Sequence, residues 1–192
     1  MSRLTLLALP LLALALPASA QEAGNSDSAD VQVTGRVAPL CILGAPSPAA
    51  VDLGQMVSTS GARVGRIAVL PVQTVSLPRS FCNFAGSTLT VAATALTSSA
   101  GGTPPGGFAR AVNYTAAGSG WASSPTTVST EALDDGSAAT ASGTGATQPL
   151  PKLADIAVEL SQFNVPGDAL LLADRYDGIV TVTLGPAAVV QR

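Results

Sequence analysis

The chain contains only two cysteines, Cys41 and Cys82, and no histidine among its 192 residues. A zinc site would normally require four Cys, His or carboxylate ligands, and no CxxC spacing is present. A catalytic cysteine normally needs a histidine base, which the chain lacks. In an oxidising compartment, the simplest fate of the two thiols is one disulfide bond between Cys41 and Cys82.

Residues 1–20 have the three parts of a secretory signal peptide. Arg3 supplies the positive charge, residues 4–16 are rich in Leu and Ala, and a small-x-small cleavage site precedes Gln21. The alternative is a membrane anchor, but two prolines interrupt an apolar run shorter than the roughly 20 residues of a spanning helix. We therefore expect an exported protein beginning at Gln21, with no membrane span after cleavage.

The charge balance argues against a nucleic-acid partner. The chain has nine Lys and Arg against 12 Asp and Glu, and the basic residues form no cluster. A protein that binds nucleic acid normally presents a basic patch or stripe to the phosphates.

Short alternating segments separated by turn residues predict an all-β protein. Residues 21–30, "QEAGNSDSAD", read as a flexible arm, and residues 31–192 as a single domain. The predicted strands are "VQVTGRV", "AVDLGQM", "GRIAVLPVQTVSL", "GSTLTVAATAL", "FARAVNYTA", "TTVSTEAL", "LADIAVELSQF" and "YDGIVTVTL". We expect an immunoglobulin-like antiparallel β-sandwich, with a closed barrel as the alternative.

The sequence offers little catalytic chemistry. It has no histidine base and no GxSxG motif, and Lys152 lies outside any SxxK motif. Neighbouring aspartates occur in turn sequences beside glycine, where Asp commonly bonds to the local backbone. We therefore expect no enzyme activity, no cofactor and no metal site. Trp121, the single tryptophan, is a ligand candidate that would stack on a sugar if exposed, or else a packing residue.

Four segments together resemble chaperone–usher pilin subunits and the related spore coat U-like secreted proteins. They are "VTGRVAPLC", "VDLGQM", "VSLPRSFC" and "DRYDGIVTVTLGP", and the similarity covers residues 31–96 and 174–185. The resemblance implies a sandwich without its final strand, which leaves an apolar groove at a sheet edge. It also implies that Cys41 and Cys82 join neighbouring strands of this incomplete core.

The resemblance implies that a periplasmic chaperone lends a strand to the groove, and that an usher assembles the subunits. The N-terminal arm of another pilin-like subunit would then replace the chaperone strand, a form of β-augmentation. The strand-exchange candidates are Val31, Val33, Tyr176, Val180 and Val182. We expect export to the periplasm, followed by a place in a surface fimbria or secretion, with a role in assembly or adhesion.

The rival interpretation is a monomeric binding module for a carbohydrate or another ligand. It requires a sandwich that is complete by itself, with residues 187–190 of the tail closing the sheet internally.

Overall fold

Twelve β-strands account for the regular structure of the described residues. The computed structural model describes residues 28–100 and 102–187, and the chain divides after Arg36 into an N-terminal segment and a compact unit. The strands are β1 (Cys41–Ile42), β2 (Gln73–Cys82), β3 (Ser87–Thr94), β4 (Leu96–Ser98), β5 (Phe108–Ala109), β6 (Ala111–Ser119), β7 (Thr126–Ser129), β8 (Thr140–Thr144), β9 (Lys152–Asn164), β10 (Leu170–Leu171), β11 (Tyr176–Asp177) and β12 (Val180–Pro186). Two 3₁₀ turns, Gly61–Arg63 and Pro166–Asp168, are the only helical elements in this part of the chain.

The strands form two antiparallel sheets and one small parallel pair. The larger sheet has the order β1-β2-β9-β6-β4-β11, with β7 also paired to β6. The smaller sheet has the order β12-β3-β8, and β10 pairs with β5 in parallel. Because the alternation of each long strand sends every second side chain inward, both sheets contribute to a shared apolar interior.

The core lies between the two sheets. Leu77, Ile156 and Val158 of the larger sheet cluster with Leu89 of the smaller one, and Val91 packs in a second cluster with residues of β6. Opposed inner faces of this kind define a β-sandwich. The predicted all-β, antiparallel sandwich is confirmed.

The single disulfide joins the first two strands. Cys41 and Cys82 lie directly opposite each other in the β1–β2 ladder, and their sulfurs are bonded at 2.00 Å. Cys82 is buried in the main core cluster, and Cys41 packs against it. The predicted pairing of Cys41 with Cys82 is confirmed.

Several strand predictions are corrected, including the first half of the strand predicted over residues 65–77, where residues 65–72 form no strand. The predicted strand over residues 31–37 is wrong, because residues 28–40 have no regular secondary structure and Val31, Val33 and Val37 are exposed. Residues 50–56 likewise form no strand. The last predicted strand is interrupted at Gly178 and Ile179, so it is two separate elements, β11 and β12.

Three strands, β1, β8 and β10, lie outside the predicted strands. β8 lies in a region of Gly, Ala, Ser and Thr for which only the segment at β7 was predicted as a strand. Its glycines allow close packing, since a Cβ added to Gly143 would lie 2.9 Å from the carbonyl oxygen of Thr127. The signal peptide, the arm as far as Asp27 and residues 188–190 of the predicted internal closure lie outside the described residues.

Candidate functional site

An apolar groove of about 830 Å³ runs beside β12, on the open side of the sandwich. The groove has one wall formed by β12 and another formed by residues 43–53. Its floor is formed by Val75 and Leu77 of β2 and by Val158 and Leu160 of β9. The groove therefore gives access to the inner face of the larger sheet.

The outer edge of β12 is free of strand partners among residues 28–100 and 102–187. β12 pairs only with β3, from Val180 opposite Ala93 to Pro186 opposite Ser87. Just beyond the ends of this strand, the Thr94 amide donates to the Ile179 carbonyl, and the Ala187 amide donates to the Gly86 carbonyl.

These two bonds set the direction of every amide along β12. Because hydrogen-bonded and non-hydrogen-bonded pairs alternate in an antiparallel ladder, residues 181, 183 and 185 also turn their backbone groups towards β3. The amides and carbonyls of Val180, Val182 and Leu184 consequently point towards the open edge. The groove thus presents a row of strand-pairing groups beside an apolar floor, which is a template for an added strand.

The opposite wall lacks a comparable row of donors. The amide and carbonyl of Ser47 are both bonded to Ser76 of β2, at 2.8 and 2.9 Å. The flanking residues Pro46 and Pro48 have no amide hydrogen to donate. An incoming strand would therefore find its backbone donors on β12.

Aromatic side chains line the groove near Val180. The rings of Tyr114 and Phe163 stack with their centroids 5.8 Å apart, and the Tyr114 hydroxyl donates to the Thr94 carbonyl at 2.9 Å. Burial raises the pKa of Tyr114 to about 12, so its hydroxyl is neutral at physiological pH. This end of the groove is suited to large apolar side chains.

A charged pair lies at the rim of the same end. Arg175 Nε is 2.9 Å from an Asp177 carboxylate oxygen, and both side chains are exposed. The neighbouring Asp174 accepts a hydrogen bond from the Ser98 hydroxyl, which lowers the pKa of that carboxyl. The polar groups therefore stand at the entrance, while the interior of the groove is apolar.

β8, at the other edge of the smaller sheet, also pairs with β3 alone within the described residues, but it packs closely on β7 of the larger sheet. Gly143 and Gly145 in and after β8 pack against β7, where an added Cβ would lie 2.9 Å from the Thr127 carbonyl and 2.0 Å from the Thr126 hydroxyl. Among residues 28–100 and 102–187, the core is thus covered along β8 and open along β12.

The structure brings together only some of the predicted strand-exchange residues. Val180 and Val182 line the groove, with their side chains packed against the core. Tyr176 lies outside it on β11, where its hydroxyl donates to the Leu172 carbonyl at 2.8 Å. Val31 and Val33 belong to the N-terminal segment and are 83% and 91% exposed.

Trp121 is a packing residue. Its side chain is 1% exposed and lies in the main core cluster, so it presents no ring face to a sugar. The Lys152 ammonium donates to the Gly120 and Trp121 carbonyls and lies 5.9 Å from the indole ring. The prediction that Trp121 stacks on a sugar required an exposed ring, and it is therefore wrong.

The resemblance implies a groove, but the sequence does not indicate most of the residues that line it. The alternation of β2 and β9 indicates that Val75, Leu77, Val158 and Leu160 face inward, but it does not show that part of this face is uncovered. The run "GAPSPAA" over residues 44–50 is a signal for an irregular wall, since two prolines prevent a regular ladder.

No group of three or more His, Cys, Asp or Glu within the described ranges is arranged to hold a metal ion. No helix in the same ranges is long and apolar enough to cross a membrane.

Comparison of the chain with protein-family models, curated proteins and solved structures finds no match.

Proposed function

We propose that the protein is an exported structural subunit that joins its partners by β-strand donation. The observation that carries this proposal is the edge of β12 that has no strand partner among residues 28–100 and 102–187, beside an apolar groove of about 830 Å³. An open edge over an uncovered core is a hazard for a protein that works alone, because it invites uncontrolled pairing. It is an advantage for a subunit that is completed by another chain.

The donor that we propose is the N-terminal segment of another copy. Val31, Val33 and Val37 occur at odd positions, so an extended segment would turn all three to one face. These side chains are 83–91% exposed, and residues 28–40 have no regular secondary structure. The segment therefore supplies the apolar alternation that the floor of the groove would accept.

We also propose the assembly pathway that the resemblance to chaperone–usher pilin subunits implies. A periplasmic chaperone would cover the groove by lending a strand, and an usher would exchange that strand for the arm of the next subunit at the cell surface. The single disulfide supports an oxidising compartment such as the periplasm. The assembled product would be a fimbria or a related surface structure, with adhesion as its role.

The first test uses the chain from Gln21 onward and a peptide of residues 28–40. We expect the chain alone to form multimers in size-exclusion chromatography with light scattering, and excess peptide to convert them to monomers. A control peptide with Val31→Asp and Val33→Asp should leave the multimers unchanged, because charged side chains cannot enter an apolar groove. A chain that is monomeric alone and ignores the peptide would favour a self-contained module.

The second test places the site on β12. Val182→Asp puts a charge in the groove, whereas Thr183→Asp puts the same charge on the exposed outer face of the same strand. We expect only Val182→Asp to abolish peptide binding in isothermal calorimetry, with circular dichroism verifying that both variants remain folded. Equal binding by the two variants would contradict the placement of the site.

A further inference from the structure

A second apolar surface covers the outer face of the larger sheet beside the disulfide. In the ladder, Ile42 lies opposite Phe81, and Phe81 lies opposite Leu153. The next row of the ladder, which contains Cys82 and Lys152, turns its side chains to the other face of the sheet. The row after it contains Leu40, Asn83 and Pro151, so these three residues lie on the same face as Phe81. We call these two rows, Leu40, Ile42, Phe81, Asn83, Pro151 and Leu153, the exit surface.

The exit surface is apolar and accessible. Leu40 and Ile42 are each 48% exposed, and Leu153 is 67% exposed. Phe81, Pro151 and Leu153 also line an open depression of about 400 Å³. A contiguous exposed apolar surface of this kind commonly marks a protein contact.

The polar groups within and between these two rows are already engaged. Lys152 lies between Pro151 and Leu153 in the chain, but its ammonium turns to the opposite face and bonds to the Gly120 and Trp121 carbonyls. Asn83 uses its side chain amide to donate to the Ala38 carbonyl and to accept from the Leu40 amide. The surface therefore has the depletion of charge that characterises the centre of an interface.

Asn83 also fixes the point at which the N-terminal segment leaves the compact unit. Its backbone amide donates to the Leu40 carbonyl at 3.0 Å, in addition to the two side-chain bonds. The segment therefore departs at the margin of the exit surface. Leu40, a member of the exit surface, comes three residues after Val37, the last residue that can enter a groove, and three residues span at most about 10 Å when extended.

We propose that the exit surface packs against the body of the second copy that accepts the arm. This inference depends on the proposed function, because the arm is what brings the second copy to this place. A groove that holds Val37 lies within about 10 Å of Leu40, so the acceptor subunit lies next to the exit surface. The contact would hold neighbouring subunits in a defined orientation and would strengthen their association beyond the arm alone.

The test separates the body contact from arm binding. Leu153→Glu places a charge in the exit surface, and Leu133→Glu changes an equally accessible leucine, 57% exposed, outside it. Both variants of the chain from Gln21 should bind the peptide of residues 28–40 as the unaltered chain does. Only Leu153→Glu should weaken self-association, by roughly tenfold in sedimentation, because it places a charge at a central apolar position of the contact.

A milder variant controls for the possibility that Leu153→Glu fails to fold. Leu153→Thr keeps a residue suited to a strand and should weaken self-association in the same direction, by less. If both Leu153 variants associate like the unaltered chain while the peptide still binds, the body contact is wrong and strand donation stands. If the peptide binds none of the proteins, both proposals fail.

Discussion

Removal of the disulfide should destabilise the protein substantially and should also weaken donor binding. The bond closes a loop between residues separated by 41 positions in the sequence. On the chain-entropy estimate, a crosslink of this span lowers the entropy of the unfolded chain enough to stabilise the fold by about 4 kcal/mol. Because domains are typically stable by about 5–15 kcal/mol, this is a large fraction of the total.

The effect on binding follows from the position of the bond. Leu43, Gly44 and Ala45 come directly after β1 and line the groove. β1 itself is only two residues long, so the bond to Cys82 is a principal attachment of this wall. Without it, the wall can separate from β2, and the groove loses its defined width.

The assay compares the oxidised chain with the double variant Cys41→Ala, Cys82→Ala. Urea unfolding followed by circular dichroism should show a loss of about 4 kcal/mol in the free energy of unfolding. Calorimetry with the peptide of residues 28–40 should show weaker binding to the double variant under conditions in which it is folded. A loss below about 1 kcal/mol, with unchanged peptide affinity, would refute this reasoning.

Three further predictions concern single residues. Gly44→Ala should destabilise the fold by about 1–3 kcal/mol in urea unfolding, since the new Cβ would lie 1.9 Å from a backbone carbonyl oxygen of β2. Gly185→Ala, with no atom within 4 Å of the new Cβ, should destabilise it much less. Because burial raises the pKa of Tyr114 from 10.0 to about 12, folding favours its protonated form. The protonated hydroxyl therefore makes its full contribution to the free energy of unfolding below pH 10, and this contribution is lost as the pH rises to 12. The variant Tyr114→Phe should not show this loss. Trp121 should fluoresce at short wavelength and resist acrylamide quenching, both alone and with the peptide bound, because its side chain is 1% exposed. Free quenching in the folded chain would contradict the core position of this residue.

The sequence predicts the sandwich well where β-branched residues alternate. The central parts of β3, β9 and β12 lie in predicted strands, because Val, Ile and Thr at every second position suit a half-buried sheet. The disulfide could also be predicted, since two cysteines without histidine leave few alternatives. These features depend on local patterns or on composition.

The errors come from features that depend on distant partners. Residues 31–37 have the alternation of a strand, but a strand also requires an edge to pair with, and no edge is paired with them in the described structure. β8 has weak strand propensity and is held by close packing of Gly143 and Gly145 on β7. The groove likewise follows from which edge has no neighbour, and that depends on strand order rather than on any one segment.

Amide hydrogen exchange along β12 tests the central claim most directly. In the isolated chain kept monomeric by dilution, the amides of Val180, Val182 and Leu184 should exchange rapidly, while those of residues 181, 183 and 185 exchange slowly. Addition of the peptide of residues 28–40 should slow the first three and leave the others slow. Protection of Val180, Val182 and Leu184 in the monomer without any donor would show that this edge is already paired, and would contradict assembly by strand donation.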